Sequence, residues 1–456
     1  MDLQGKNVLV IGTGISGIGA LRLLNSVGAV PVLYDENKRL DRETILRKLP
    51  EGIDAEIVIG DLPDEIEGKI VLVVPSPGVP TDTALIEEFR RRGIPVRGEI
   101  ELAHTYARGK LVAITGTNGK TTTTSLVGQI MEEYFQSVYI VGNIGNPYTE
   151  IAPETKEDTI TVAEISSFQL ETTESFKPQV SAILNITPDH LDRHHTMENY
   201  AAVKERIAQN QTKAEVCVLN YENEYTRDFG SRCPARVIYF SSARRLEKGI
   251  YLEGDDIYIS GIDMADAGSS KKIMNIHEMN LVGLCNVENV MAAIAVSLSM
   301  QVPLENILDT VKRFKAVEHR IEFVATKRGV DYYNDSKGTN PDAAIQGIKA
   351  MSKPTVLIGG GYDKGSEYDE WIEAFDGKVK CFVLIGQTAD KIEECARRHG
   401  IDNIVRASSF DEALETCTRE AKPGDAVLLS PACASWGMFP NYEVRGNMFK
   451  DYVNNL

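Results

Sequence analysis

The residues best suited to chemistry sit in glycine-rich loops that follow short apolar runs. The sharpest loop is Gly116-Thr117-Asn118-Gly119-Lys120-Thr121-Thr122, which follows the run Leu111–Ile114. Glycines let backbone N–H groups approach phosphate oxygens, and a helix opening beyond them favours negative charge. In such a loop the lysine, here Lys120, reaches the β- and γ-phosphates of a nucleotide, and the hydroxyl of Thr121 ligates magnesium. The full eight-residue pattern has a glycine where Ile114 stands, so this is a shortened variant. Glu164 follows the apolar run at 159–163 and offers a hard oxygen ligand for the same ion.

A second loop, Gly12-Thr13-Gly14-Ile15-Ser16-Gly17, has the GxGxxG spacing, with Asp35 after the next apolar run. That is the dinucleotide fingerprint, in which the acid meets a ribose hydroxyl. Any diphosphate-linked nucleotide can use the same turn, so an NAD-dependent oxidoreductase is one reading among several. The stretch Pro188–His195 holds three histidines. His190 and His194 have i,i+4 spacing, which suits zinc. No cysteine or third dedicated ligand adjoins them, and the neighbouring chemistry is that of phosphate and magnesium. His190 therefore reads as a ligand or substrate contact, and His194 and His195 as solvated loop residues. Lys204 lies in the helical pattern Asn199–Ala208 and, taken alone, reads as a solvent-facing lysine.

These loops need a scaffold that presents them together. Apolar runs ending in glycine-rich loops and followed by helical patterns recur at Val8–Ala20, Leu111–Thr123 and Thr355–Gly365. The strands are near-continuous apolar runs, as in parallel sheets covered on both faces. The fold class is α/β in three domains: a Rossmann-like N-terminal domain (1–98), a central P-loop-type ATPase domain with a parallel sheet (99–316), and a Rossmann-like C-terminal domain (317–456). The boundaries fall at Gly98 and at Ala316, after the helical stretch Leu304–Phe314. Three domains also suit a chain of 456 residues. Ligands of open α/β sheets sit beyond the carboxyl ends of the strands. The groups placed there are the Gly12 loop, Asp35 and Ser76-Pro77-Gly78; then the Gly116 loop, Glu164 and Asp189-His190; then Asp335–Thr339, Asp363-Lys364 and Ser430–Ser435.

Composition removes other classes. With 43% hydrophobic and 25% charged residues the chain is ordinary for a globular protein. The net charge of −17 argues against non-specific binding to nucleic acid or to anionic membrane. The longest apolar run, Val290–Val296, is far too short to span a membrane. No basic region followed by an apolar core opens the chain, so no secretory signal is read. Seven cysteines without a CxxC pair suit idle thiols in a reducing cytosol.

The segments GTNGKTT, Glu164–Glu171, Asn185–His194, Asn334–Asp342 and Leu428–Phe449 together resemble the Mur ligase family, in order and over nearly the whole chain. The resemblance implies a cytoplasmic step of peptidoglycan synthesis with small-molecule substrates, and a monomer. ATP phosphorylates the carboxylate of UDP-MurNAc-L-alanine, and the amine of D-glutamate attacks the acyl phosphate through a tetrahedral intermediate. It also implies residue roles. Ile15, Ser16, Asp35, Ser76, Pro77 and Gly78 would hold uridine and diphosphate, and Asn143 the muramoyl part. Lys120, Thr121 and Glu164 would hold ATP and a first magnesium. Asn286, Asn289, Arg320 and Asp335 would complete the nucleotide contacts. Lys337, Thr339, Lys364, Ser435 and Tyr442 would face D-glutamate. Lys204 changes meaning: in the family this position is carbamoylated, and with His190 it would define a second magnesium site. Cys285 stands where the family often has histidine, which touches one adenine-side contact. A DNPR segment, carried by diaminopimelate-adding relatives, is absent, which favours D-glutamate. A rigid-body swing of the third domain on the Ala316 junction is expected on nucleotide binding.

Overall fold

A computed structural model describes residues 2–50, 52–53, 55–262 and 270–456. It contains three sheets. By contact density the chain divides into two units, one of Met1–Glu253, Tyr258–Lys272 and Met291–Thr310, the other of Gly254–Ile257, Ile273–Val290 and Val311–Leu456.

The first unit holds two of the sheets. One has four parallel strands in the spatial order Glu56–Ile59, Val30–Asp35, Asn7–Ile11, Ile70–Pro75. Val8, Leu9 and Val10 are fully buried because apolar layers cover both faces, which explains the lack of alternation in the run. The chain leaves Asn7–Ile11 between its two neighbours, so the Gly12 loop opens at the point where strand order reverses. Asp35 and Ser76 end or follow the flanking strands.

The second sheet has nine strands. Seven of them are parallel neighbours in the order Gly249–Glu253, Arg236–Ser241, Val216–Asn220, Val180–Ile183, Lys110–Thr115, Ile160–Glu164, Val138–Gly142. Lys110–Thr115 lies between Val180–Ile183 and Ile160–Glu164. Adjacent strands lie about 4.8 Å apart. The loops leaving these three strand ends, with the Gly116 loop, Glu164 and the Asp189-His190 segment, therefore open side by side.

The second unit carries a six-stranded sheet in the order Glu322–Lys327, Val330–Asn334, Ala426–Leu429, Thr355–Gly359, Val379–Leu384, Ile404–Arg406. The first pair is antiparallel and the rest are parallel. The antiparallel edge departs from an all-parallel expectation. It is a hairpin closed at Arg328-Gly329, where both residues have positive φ, as a tight two-residue turn requires. Val330–Asn334, Ala426–Leu429 and Thr355–Gly359 are neighbours, so the loops bearing Lys337 and Thr339, Ser435, and Lys364 leave from adjacent strand ends. Among the described residues no helix is long and apolar enough to cross a membrane.

Candidate functional site

The helix Lys120–Tyr134 begins after Gly119, whose φ of 84° is left-handed. That conformation lets the loop turn sharply into the helix. Within the loop, Thr117 Oγ1 donates to the Thr187 carbonyl (3.1 Å) and accepts from Thr187 N (3.0 Å). Asn118 N donates to Asn185 Oδ1 (2.8 Å), and Asn185 Nδ2 donates back to the Asn118 carbonyl (3.1 Å). The neighbouring strand end thus fixes the loop's shape before any ligand arrives. Lys120 Nζ donates to the carbonyls of Gly116 (2.8 Å) and Thr117 (2.7 Å). Thr121 and Thr122 follow it in the buried first turn.

Lys204 is the departure from the sequence reading. It is 1% exposed, not solvent-facing. The helix Met197–Glu205 buries Tyr200, Ala201 and Lys204 on one face. From there Nζ donates to the Gly116 carbonyl (2.8 Å) and lies 4.7 Å from the Tyr200 ring centre. Burial pushes its pKa well below the ordinary lysine range, and the nearby Lys120 ammonium pushes it the same way, while Asp189 and Glu164 pull it back. A lysine biased toward its neutral amine is more nucleophilic than an ordinary ammonium.

Glu164 is also 1% exposed. Its Oε1 accepts from Asn143 Nδ2 (2.7 Å), while its Oε2 is buried without a hydrogen-bond partner. A buried carboxylate oxygen left unsatisfied is costly. His190 has a left-handed backbone (φ 53°) and rests edge-on against Phe168, with ring centres 4.8 Å apart. Its side chain stays 45% exposed. His194, expected in solvent, is buried: Nε2 pairs with Ser167 Oγ (3.0 Å), and its ring stacks on Phe168. Burial lowers its pKa. This arrangement makes it a core histidine, and His195 is the exposed member.

The sequence reading did not single out Arg193, which forms a two-pronged pair with Glu171 (3.1 and 2.6 Å) and donates to the Val79 carbonyl (3.0 Å). It ties the loop after Ser76 to the loop that carries His190. Its acceptors, Glu171 and Val79, lie 22 and 114 residues away in the chain, so no local sequence signal marks it.

At the first sheet, Gly12 has φ 104°, and a Cβ there would lie 2.7 Å from Ser76 Oγ. A Cβ on Gly17 would lie 2.0 Å from the Gly12 carbonyl oxygen. Both glycines are therefore required by close approach, as the fingerprint implies. Ser76 Oγ is buried without a partner. Asp35 accepts from Thr13 Oγ1 (3.2 Å) and Asn37 N (3.1 Å). Gly12, Asp35 and Gly78 line one pocket, and Ser76 and Pro77 line a smaller one. Ile15 is 75% exposed at the first turn of the helix Ile15–Ser26, and Ser16 follows it.

In the second unit, Asp335 accepts from Ser430 Oγ (2.7 Å) and Ile321 N (3.2 Å). Burial raises its pKa to about 7, against the pull of that hydroxyl and of Arg320. Lys337 Nζ lies 5.2 Å from the ring centre of Tyr442. The Thr339 N–H donates to the Lys337 carbonyl (2.9 Å). Buried Arg445 donates to Ser336 Oγ (2.9 Å) and the Ser336 carbonyl (2.7 Å), fixing this loop from below. Ser435 is 4% exposed, and Lys364 stands in an exposed turn. Asn286 and Asn289 are buried one helical turn apart, with Asn289 Nδ2 donating to Asn286 Oδ1 (3.2 Å). Burial raises the Cys285 thiol to about 12, so it stays protonated. A separate cluster, Asp369, Cys395 and His399, is an ion-pair network: Asp369 accepts from His399 (3.0 Å) and Arg398 (3.1 Å).

Comparison with known proteins agrees with this layout. Residues 6–98 match the Mur ligase MurD-like N-terminal domain, 114–297 the Mur ligase middle domain, and 319–433 the Mur ligase glutamate ligase domain. The chain is 58% identical to a UDP-N-acetylmuramoylalanine–D-glutamate ligase of Lachnospira eligens, over the whole of both chains. It is 52% identical to the enzyme of that name from Lachnoclostridium phytofermentans, over all of this chain and 99% of the relative. Among solved structures, the fold is shared with UDP-N-acetylmuramate-alanine ligase MurC from Thermotoga maritima (TM-score 0.59, 18% identity, 99% of each chain). It is also shared with MurF ligase from the same organism in complex with ADP (TM-score 0.59, 16% identity, 100% of this chain and 96% of that one). With three consecutive domain matches and relatives this similar along its full length, the chain belongs to the Mur ligase family.

Proposed function

We propose that this chain is an ATP-dependent ligase that joins D-glutamate to UDP-N-acetylmuramoyl-L-alanine in peptidoglycan synthesis. The observation that carries the reading is the convergence of the Lys120 loop, the half-satisfied carboxylate of Glu164 and the buried amine of Lys204 at adjacent strand ends, in a chain 58% identical to a ligase of that name. We further infer three domains, 1–98, 99–316 and 317–456, acting in a cytoplasmic monomer.

The chemistry is phosphoryl transfer followed by acyl transfer, and positioning with charge stabilisation does most of the work. The Gly12 loop and the helix behind it suit the diphosphate of the UDP substrate, with Ile15, Ser16, Asp35, Ser76, Pro77 and Gly78 around it. Asn143 would reach the muramoyl part. Backbone N–H groups of residues 116–122 and the Lys120 ammonium suit the ATP phosphates, and Asn286, Asn289, Arg320 and Asp335 the rest of the nucleotide. A carboxylate oxygen of the alanyl end attacks the γ-phosphorus and ADP leaves. The D-glutamate nitrogen then attacks the acyl carbon, loses a proton, and phosphate departs. Lys337, Thr339, Lys364, Ser435 and Tyr442 supply cationic and hydroxyl partners for the two carboxylates of the amino acid.

Magnesium fits the residues present. The unpartnered Oε2 of Glu164 and the Thr121 hydroxyl would hold one ion, and His190 with Lys204 a second. Bound magnesium would neutralise charge gathering on the transferred phosphoryl group. A neutral lysine amine reacts with carbon dioxide to give a carbamate and a proton, which turns a group that repels a cation into one that binds it. Burial biases Lys204 toward the neutral form that this reaction needs.

The test is phosphate release from ATP. Release requiring both UDP-N-acetylmuramoyl-L-alanine and D-glutamate supports the assignment. Equal release with another amino acid, or hydride transfer to NAD in its place, overturns it.

A further inference from the structure

The chain has two tryptophans. Trp371 is fully buried in the core of the second unit, whereas Trp436 is 55% exposed. Tyr362, whose ring touches it, is exposed as well, so the two form a clustered apolar surface rather than a lone exposed side chain. Trp436 directly follows Ser435. The Lys364 Nζ lies 5.4 Å from its ring centre, and Tyr362 meets the same ring edge-on at 5.6 Å.

The backbone holds the three residues in place. Tyr362 N donates to the Ala434 carbonyl (2.9 Å), which joins the two loops by an isolated antiparallel bridge. Gly361, with φ 155°, lies so close that a Cβ there would come within 2.4 Å of the Ala434 oxygen. The turn after it is closed by Gly365 N donating to Asp363 Oδ1 (2.7 Å). Lysine is a flexible stem with a strongly hydrated head. An exposed lysine free to sample its rotamers gives up much of its attraction for a carboxylate in ordering. A fixed aromatic face within 6 Å of the ammonium reduces that loss.

We propose that Trp436, braced by Tyr362, is a positioning residue that holds the Lys364 ammonium for a carboxylate of the incoming amino acid. The inference rests on the reading of Lys364 as a D-glutamate contact. Trp436 acts through Lys364, so its removal weakens amino-acid binding and spares the phosphoryl-transfer step.

The experiment is steady-state kinetics of Trp436→Leu, Trp436→Phe and Lys364→Met in the full chain, with each substrate varied in turn. Trp436→Leu is expected to raise KM for D-glutamate about threefold to fivefold, the size of an exposed cation–π contact at one decade per 1.4 kcal/mol. KM for ATP and for the UDP substrate, and kcat, stay at wild-type values. Trp436→Phe recovers at least half of the effect, because a smaller ring still presents a face. In the Lys364→Met background, Trp436→Leu adds nothing further. An unchanged D-glutamate KM in Trp436→Leu overturns the proposal. So does an equal rise for all three substrates, or a phenylalanine variant as impaired as the leucine one. Failure of the underlying reading looks different: the wild-type chain itself would release phosphate without needing D-glutamate.

Discussion

Replacing Lys204 with methionine separates chemistry from stability more cleanly than any other change. Methionine matches the lysine stem in length and bulk, so no large cavity opens. The variant loses one hydrogen bond, from Nζ to the Gly116 carbonyl at 2.8 Å, and the contact with the Tyr200 ring. The Gly116 carbonyl still accepts from Lys120 Nζ at 2.8 Å, so no buried acceptor is orphaned. The lost bond contributes about 1 kcal/mol, and removing a buried amine relieves a desolvation cost of the opposite sign. The balance is within about 1 kcal/mol, a shift of about 4 °C or less in Tm. On the proposed carbamate reading, activity in contrast falls at least about 100-fold, because the carbamate's anionic oxygens cannot form at this position. In Lys204→Ala, which leaves room, acetate or formate restores part of the rate. Phosphate release and a thermal melt on the same preparations read both quantities. Methionine within threefold of wild-type activity, or a drop in Tm large enough to show that the lysine is mainly a structural strut, would refute the reasoning.

Three other outcomes follow from the same geometry. Glu164→Gln keeps the Asn143 bond through Oε1 and replaces the unpartnered Oε2; the magnesium concentration for half-maximal activity should rise at least about tenfold, measured by titrating the ion in the phosphate-release assay, with Tm little changed. Gly17→Ala puts a methyl 2.0 Å from the Gly12 carbonyl; it should cost about 1–3 kcal/mol in denaturant titration and abolish calorimetric binding of the UDP substrate, whereas Gly14→Ala, with open space around it, should leave stability within about 0.5 kcal/mol. Asp335 keeps its proton to about pH 7 when folded and releases it near 4 when unfolded, so the folded state binds more protons between those values, and the contribution of this one group to stability falls as pH rises through that window. The stability difference between wild type and Asp335→Asn should therefore shift by roughly 2–4 kcal/mol between pH 4 and pH 8, and a pH-independent difference from chemical denaturation would contradict this.

The loops were legible because their chemistry is local. Glycine spacing, an apolar run before and a helical pattern after place the Gly12 and Gly116 loops without any long-range information. The rule that ligands sit beyond strand ends also located Asp35, Glu164, Asp335 and Lys364. What stayed hidden depends on partners distant in the chain. Lys204 reads as a surface lysine because its acceptor, Gly116, is 88 residues away. His194 reads as solvated because Phe168, Ser167 and Tyr200, which enclose it, come from other elements. Only the family resemblance pointed to Lys204, and nothing in the sequence pointed to Trp436 as distinct from an ordinary core tryptophan. The antiparallel Glu322–Lys327 edge was missed because its hairpin turn, Arg328-Gly329, lacks the usual Asn-Gly or Asp-Gly signal.

The most direct measurement follows oxygen atoms. UDP-N-acetylmuramoyl-L-alanine labelled with oxygen-18 in the alanyl carboxylate is turned over with unlabelled ATP and D-glutamate, and the released phosphate is weighed by mass spectrometry. If the carboxylate is phosphorylated and the amine then expels phosphate, each phosphate carries one labelled oxygen and the new amide keeps the other. Unlabelled phosphate, with product still formed, would mean that the carboxylate was never activated in this way.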